Sequence, residues 1–103
     1  MHNSSPYEIS QECIHILEDH KAENILSLDV SDLTSLTHFM IIVTANNNRH
    51  INALGQYIQE YGKKILSYKP KIHGEVSSGW MLLDLQHVII NIMTQETREY
   101  YNL

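Results

Sequence analysis

The chain reads as an α/β protein, a mixed sheet of about five strands flanked by helices. Three observations predict this. Apolar residues repeat at helical spacing before residue 21 and again after Asn48. Short runs of β-branched and aliphatic residues lie between and after those stretches. The resulting order, α-β-β-α-β-β-β-α, has a central β-α-β stretch that suits a parallel crossover, while the other links suit antiparallel neighbours. With 103 residues the chain reads as one domain, 1–103. A domain of this size buries somewhat over about 60% of its unfolded surface, enough for one modest core.

Ser5-Pro6-Tyr7-Glu8 opens the first helix, with Ser5 as N-cap, Pro6 at the first helical position and Glu8 closing a capping box. Ile9, Cys13, Ile16 and Leu17 form its apolar stripe, and the helix is expected to reach about Lys21. Residues 25–30 follow as a strand with Leu26, Leu28 and Val30 on one face. After a polar connection, residues 37–44 form a nearly continuous apolar run, expected as a central strand buried on both faces. An asparagine of the 46–48 loop caps the second helix, whose inner stripe is Ile51, Leu54, Gly55, Ile58 and Tyr61. Gly62 is expected to end it, ahead of a connector with Lys63, Lys64, Lys69, Pro70 and Lys71. A short strand at residues 72–75, a loop at 76–78, strands at 79–85 and 88–93, and a Thr94-capped helix over 95–101 complete the series.

The strand at 79–85 carries the only tryptophan. Alternation places Trp80, Leu82 and Asp84 on one face. A loop of two or four residues would set Trp80 opposite Asn91, Leu82 opposite Ile89 and Asp84 near His87; a three-residue loop would shift that pairing. The other face, Met81, Leu83, Val88, Ile90 and Ile92, is wholly apolar and is the expected core. A mixed face with a central Trp has the anatomy of a protein-binding patch. A Trp half-buried beneath a helix or loop is the competing reading.

Charge narrows the function classes. The net charge is −5. Residues 1–48 carry Glu8, Glu12, Glu18, Asp19, Glu23, Asp29 and Asp32 against Lys21 alone, whereas the remainder is nearly balanced. Such a surface opposes a nucleic-acid backbone and suits a basic protein partner. No sequence-specific nucleic-acid binding is expected. A single cysteine, Cys13, on a packing stripe allows no intramolecular disulfide and no thiolate zinc cluster, which fits a reducing, cytoplasmic setting. The polar start lacks a signal core, and no apolar run is long enough to span a bilayer, so no membrane association is expected.

Catalytic signatures are missing. The seven histidines are scattered without ligand spacing, so no metal site is expected. No P-loop, G-x-S-x-G or dinucleotide fingerprint is present. Asp29 and Asp32 stand where a two-metal nucleotidyl-transfer site would want carboxylates, but three-residue separation does not place both on one strand face. Asp32 reads instead as a turn residue.

Taken in order, Leu28-Asp29-Val30, Leu36 to Thr44, Asn48-Arg49-His50, Gly74-Glu75, Gly79 to Leu85, Val88 to Met93 and Arg98 to Leu103 resemble the ribosomal silencing factor family, also called Iojap-like proteins. The resemblance implies a nucleotidyltransferase-like fold without catalytic residues. It implies a non-enzymatic, cofactor-free factor. Family members dock on the large ribosomal subunit at the protein called L-fourteen, block subunit joining and repress translation. It assigns partner binding to Trp80, Leu82, Asp84, Ile89 and Asn91, with Tyr101 packing and Arg98 holding the hairpin by a charged hydrogen bond. The sequence departs from the family at His38 and His87, where carboxylates are usual, at Ala45, Asn47 and Asn48, and at Asn91, where histidine is common. The alternatives are a nucleotidyl-transfer enzyme using Asp29 and Asp32, and a homodimeric module pairing through the Trp80 face.

Overall fold

The computed structural model describes residues 4–103; residues 1–3, with His2 and part of the polar start, lie outside that description. The chain order is α1 (Pro6–Asp19), β1 (Glu23–Asp29), β2 (Phe39–Ala45), α2 (Asn48–Leu66), β3 (Lys71–His73), β4 (Trp80–Asp84), β5 (Val88–Thr94) and α3 (Gln95–Tyr101), with one 3-10 turn at Val76–Ser78. This is the expected element order and the expected five-stranded mixed sheet.

Local chemistry sets the helix ends. The Ser5 amide donates to Glu8 Oε1 at 2.9 Å and the Glu8 amide to Ser5 Oγ at 3.2 Å, a complete capping box. Asn47 caps α2 by accepting from the His50 amide at 2.8 Å. His50 also joins the ends of two helices: its Nδ1 accepts from the Asn46 amide and its Nε2 meets the His20 carbonyl oxygen.

The sheet order is β1-β2-β5-β4-β3. β2 and β5 are parallel and the other neighbours antiparallel. The β2-α2-β3 crossover therefore joins parallel strands that lie three places apart rather than side by side. Cys13 and Leu17 of α1 and Ile51, Leu54, Ile58 and Ile65 of α2 pack with Ile41, Val43, Met81, Leu83, Val88, Ile90 and Ile92 in one core. β2 is buried along most of its length, as its apolar run predicts.

Three expectations need correction. α1 stops at Asp19, and Lys21 turns the chain with φ 72°. Gly62 does not end α2. The helix continues to Leu66 and stops at Ser67, φ 63°, so Lys63 and Lys64 are helical. Gly62 is buried where any Cβ would strike Pro70, with Leu85 just beyond, so its missing side chain serves close packing. The pairing across the β4–β5 turn lies two residues further along β5 than expected: Trp80 lies opposite Met93, Leu82 opposite Asn91 and Asp84 opposite Ile89. Leu85 folds into the core, its amide donates to the Val88 carbonyl across the two-residue turn Gln86-His87, and Gln86 takes the positive φ (71°) that such a tight turn uses.

Candidate functional site

Both long helices cover one face of the sheet. The other face carries the short α3, which packs on β5 and β2 and is bonded to β1 near its end; Ile42, Thr44, Asn91 and Met93 are buried on this face, and the positions around them are half-buried or exposed. The strand registers arrange this face in rows. Leu28, Met40, Ile89, Asp84 and Lys71 cross all five strands; Leu26, Ile42, Asn91, Leu82 and His73 form the next row; Thr44, Met93 and Trp80 form a third. Alternation thus brings Trp80, Leu82, Asp84, Ile89 and Asn91 onto one continuous surface.

Their environments differ. Trp80, Leu82 and Ile89 are half-buried and Asp84 is exposed. The Trp80 indole donates through Nε1 to Asn91 Oδ1 at 3.2 Å. It also lies against Gly74, at φ 101°, where a Cβ would come within 3.0 Å of the ring. Asn91 is only 7% exposed, so its amide holds the indole rather than offering a free polar group. Beside Trp80, an apolar groove of about 400 Å³ runs between Asn91, Met93, Tyr101 and Leu103. Asp84 accepts from the Gln86 amide at 2.8 Å through Oδ1. At that end of the face Leu36, Tyr68, Lys71, Asp84, Gln86 and His87 line a second, more polar depression.

The C-terminal helix is placed differently from expectation. Arg98 is 9% exposed and does not reach the β4–β5 hairpin. Its Nη1 donates to the Asn24 carbonyl at 2.5 Å and to Thr44 Oγ1 at 2.9 Å, tying α3 to β1 and β2. Tyr101 does not pack inward. It is 61% exposed, edge-on to Tyr100, and forms a wall of the groove.

The surface is larger than the hairpin residues alone suggested. Leu26 and Leu28 are each 40% exposed and extend it to the sheet edge, with Met40 between them and β5. The alternation of Leu26 and Leu28 signals their shared face. The apolar run around Met40 conceals which of its side chains turn outward.

The carboxylates of the β1 end are engaged in a turn. The hydroxyl and amide of Ser31 donate to Asp29 at 2.6 and 3.0 Å and hold its pKa below the ordinary aspartate value. Asp32 is exposed in that turn. Among the described residues no group of three or more His, Cys, Asp or Glu side chains is placed to hold a metal ion. Nor is any described helix long and apolar enough to cross a membrane.

Known proteins resemble this chain in sequence and in fold. Ribosomal silencing factor RsfS of Chromobacterium violaceum is 37% identical over 100 residues, covering 93% of this chain and 79% of that protein. The chloroplastic protein Iojap of Arabidopsis thaliana is 33% identical over 93 residues, 89% of this chain and 38% of the relative. A crystal structure from Chromobacterium violaceum superposes with a TM-score of 0.85 at 35% identity, covering 96% of this chain and 82% of that one. One from Bacillus halodurans gives a TM-score of 0.80 at 22% identity, over 94% and 90% of the two chains, and speaks to the fold alone. The family model described as "Ribosomal silencing factor during starvation" matches residues 3–103. The chain therefore belongs to the ribosomal silencing factor family, a family of non-enzymatic factors.

Proposed function

We propose that this protein binds the large ribosomal subunit at L-fourteen through its open sheet face and so prevents the small subunit from joining, repressing translation. Residues 1–103 act as one domain, in the cytoplasm and without a cofactor. The observation that carries the reading is the open face itself: a tethered, half-buried tryptophan set among Leu82 and Ile89, with exposed Asp84 at its rim. An aromatic anchor amid aliphatics, bordered by a charge, is the anatomy of an interface hot spot. Asp84 pairs with a basic group of the partner, and Asn91 keeps the indole oriented. Exclusion of the small subunit is steric, so no chemical step is needed.

Co-sedimentation with isolated large subunits tests this. Trp80→Ala should weaken binding by about 2 kcal/mol or more, which is on the order of thirtyfold in Kd. Asp84→Arg should weaken it as well, through charge reversal at the rim. Variants with native circular dichroism that sediment like the parent protein would show that the face is wrongly assigned.

A further inference from the structure

We infer that the outer edge of β1 is a second docking site, which takes an extended arginine- or lysine-rich protein segment as a sixth strand of the sheet. The sheet ends at β3 on one side and at β1 on the other; β3 has three residues and β1 has seven. Arg98 occupies the Asn24 carbonyl. Among the described residues, the backbone of residues 25–29 makes no hydrogen bond outside the β1–β2 ladder. A row of unpaired amides and carbonyls is a template for another strand unless lysine, proline or a covering element blocks it. β1 contains neither lysine nor proline; its register shifts between Glu23 and Leu26, so the regular open edge begins at Leu26, where Leu26 and Leu28 stand 40% exposed.

Charge selects the occupant. Glu18, Asp19, Glu23, Asp29 and Asp32 are all exposed within the segment that contains β1, against Lys21 alone. A second copy of the chain is a poor match. Self-pairing brings an edge carrying Glu23 and Asp29 against the same acidic edge of the other copy, and like charges facing one another across a strand pair are destabilising. A basic strand reverses that sign at both ends. Aliphatic residues on its alternate positions would continue the row of Leu26 and Leu28, while the basic ones would lie on the side of Ser27 and Asp29. The inference does not depend on what covers the Trp80 face.

The test uses the full chain and no ribosome. A fluorescein-labelled Arg-Val-Arg-Val-Arg-Thr peptide and its glutamate counterpart are titrated by fluorescence anisotropy, and backbone hydrogen exchange is read on the complex. The basic peptide should bind saturably, release as salt rises, and slow exchange at residues 25–29. The double variant Glu23→Lys with Asp32→Lys should bind it about tenfold more weakly; Asp29 is left intact because it closes the turn with Ser31. Absence of binding up to about 1 mM would overturn the inference. So would equal binding of the glutamate peptide, an unaffected double variant, or binding without slower exchange at residues 25–29. Protection of the same amides by self-association would overturn it in favour of a second copy. The exchange measurement on the parent protein decides the matter even where the double variant fails to fold.

Discussion

Two glycines of α2 look alike in sequence, seven residues apart on one helix, yet their neighbours differ. A Cβ on Gly55 meets the sulfur and terminal methyl of Met81, the far end of a flexible side chain. A Cβ on Gly62 meets the ring of Pro70, which cannot rotate away, with Leu85 behind it. Alanine gains about 1 kcal/mol over glycine from helix propensity at either site. Gly55→Ala should therefore leave stability within about 1 kcal/mol of the parent, since Met81 can repack. Gly62→Ala should lose about 1–3 kcal/mol, because the clash is with a rigid neighbour. Urea unfolding of the two variants checks the ranking, and a Gly62→Ala protein as stable as Gly55→Ala would refute it. The strand face of Trp80 was legible from period-two alternation alone. Its tether to Asn91 was not, because that contact is diagonal across the hairpin and depends on a register the residues between the strands leave open.

At the scale of elements, α3 is a seven-residue helix held by a few named bonds. Thr94 caps it by accepting from the Thr97 amide at 3.3 Å, and the Thr97 hydroxyl reaches the Ser78 carbonyl at 3.1 Å. Arg98 supplies the long-range tie to Asn24 and Thr44, a buried cation satisfied by neutral oxygens. Arg98→Ala removes both charge-assisted bonds and leaves a buried acceptor unpaired, a loss of about 2–4 kcal/mol. Hydrogen exchange should then accelerate in α3 and in the amides of β1 near Asn24 before it does in α2. An exchange increase confined to α3 would show that Arg98 does not brace β1. Element types and order were legible because capping boxes, β-rich runs and turn residues act locally. The misplaced boundaries came from tertiary contacts. Gly62 resembles a helix terminator until Pro70 and Leu85 are seen to press on it, and Leu85-Gln86-His87 carries no glycine to announce its left-handed residue. Arg98 was expected on the hairpin because nothing in the sequence tells how far α3 leans toward β1.

Over the whole molecule, ionisable groups set the pH range of the fold. Glu8 is held below its ordinary value by the Ser5 amide and hydroxyl, and Asp29 by the Ser31 hydroxyl and amide. Both contribute stability that is present above the ordinary carboxylate range and lost as pH falls through their lowered values. The alkaline side is set in the seam between α1 and α2. Burial, with a smaller effect from the Glu12 charge, pushes the Cys13 thiol from 9.0 up to about 12. Burial first, then the charges of Cys13, Glu12 and Glu8, pushes Tyr61 from 10.0 to about 12. Each group keeps its proton when folded and releases it when unfolded over that interval. Their contribution is therefore intact below pH 9 and is lost as pH rises toward about 12. For Cys13 the slope approaches 1.4 kcal/mol per pH unit once the unfolded thiol is fully ionised, on the order of one proton per molecule. Cys13→Ala removes that component and leaves Tyr61, so its decline should begin near pH 10 rather than near pH 9. The variant is also less stable at neutral pH because it opens a small void, so the comparison rests on slopes and not on absolute values. Urea midpoints measured from pH 8 to 11 decide it: parallel curves for parent and variant would mean that the thiol ionises freely in the folded protein, and that the α1–α2 seam admits water where the packing indicates none.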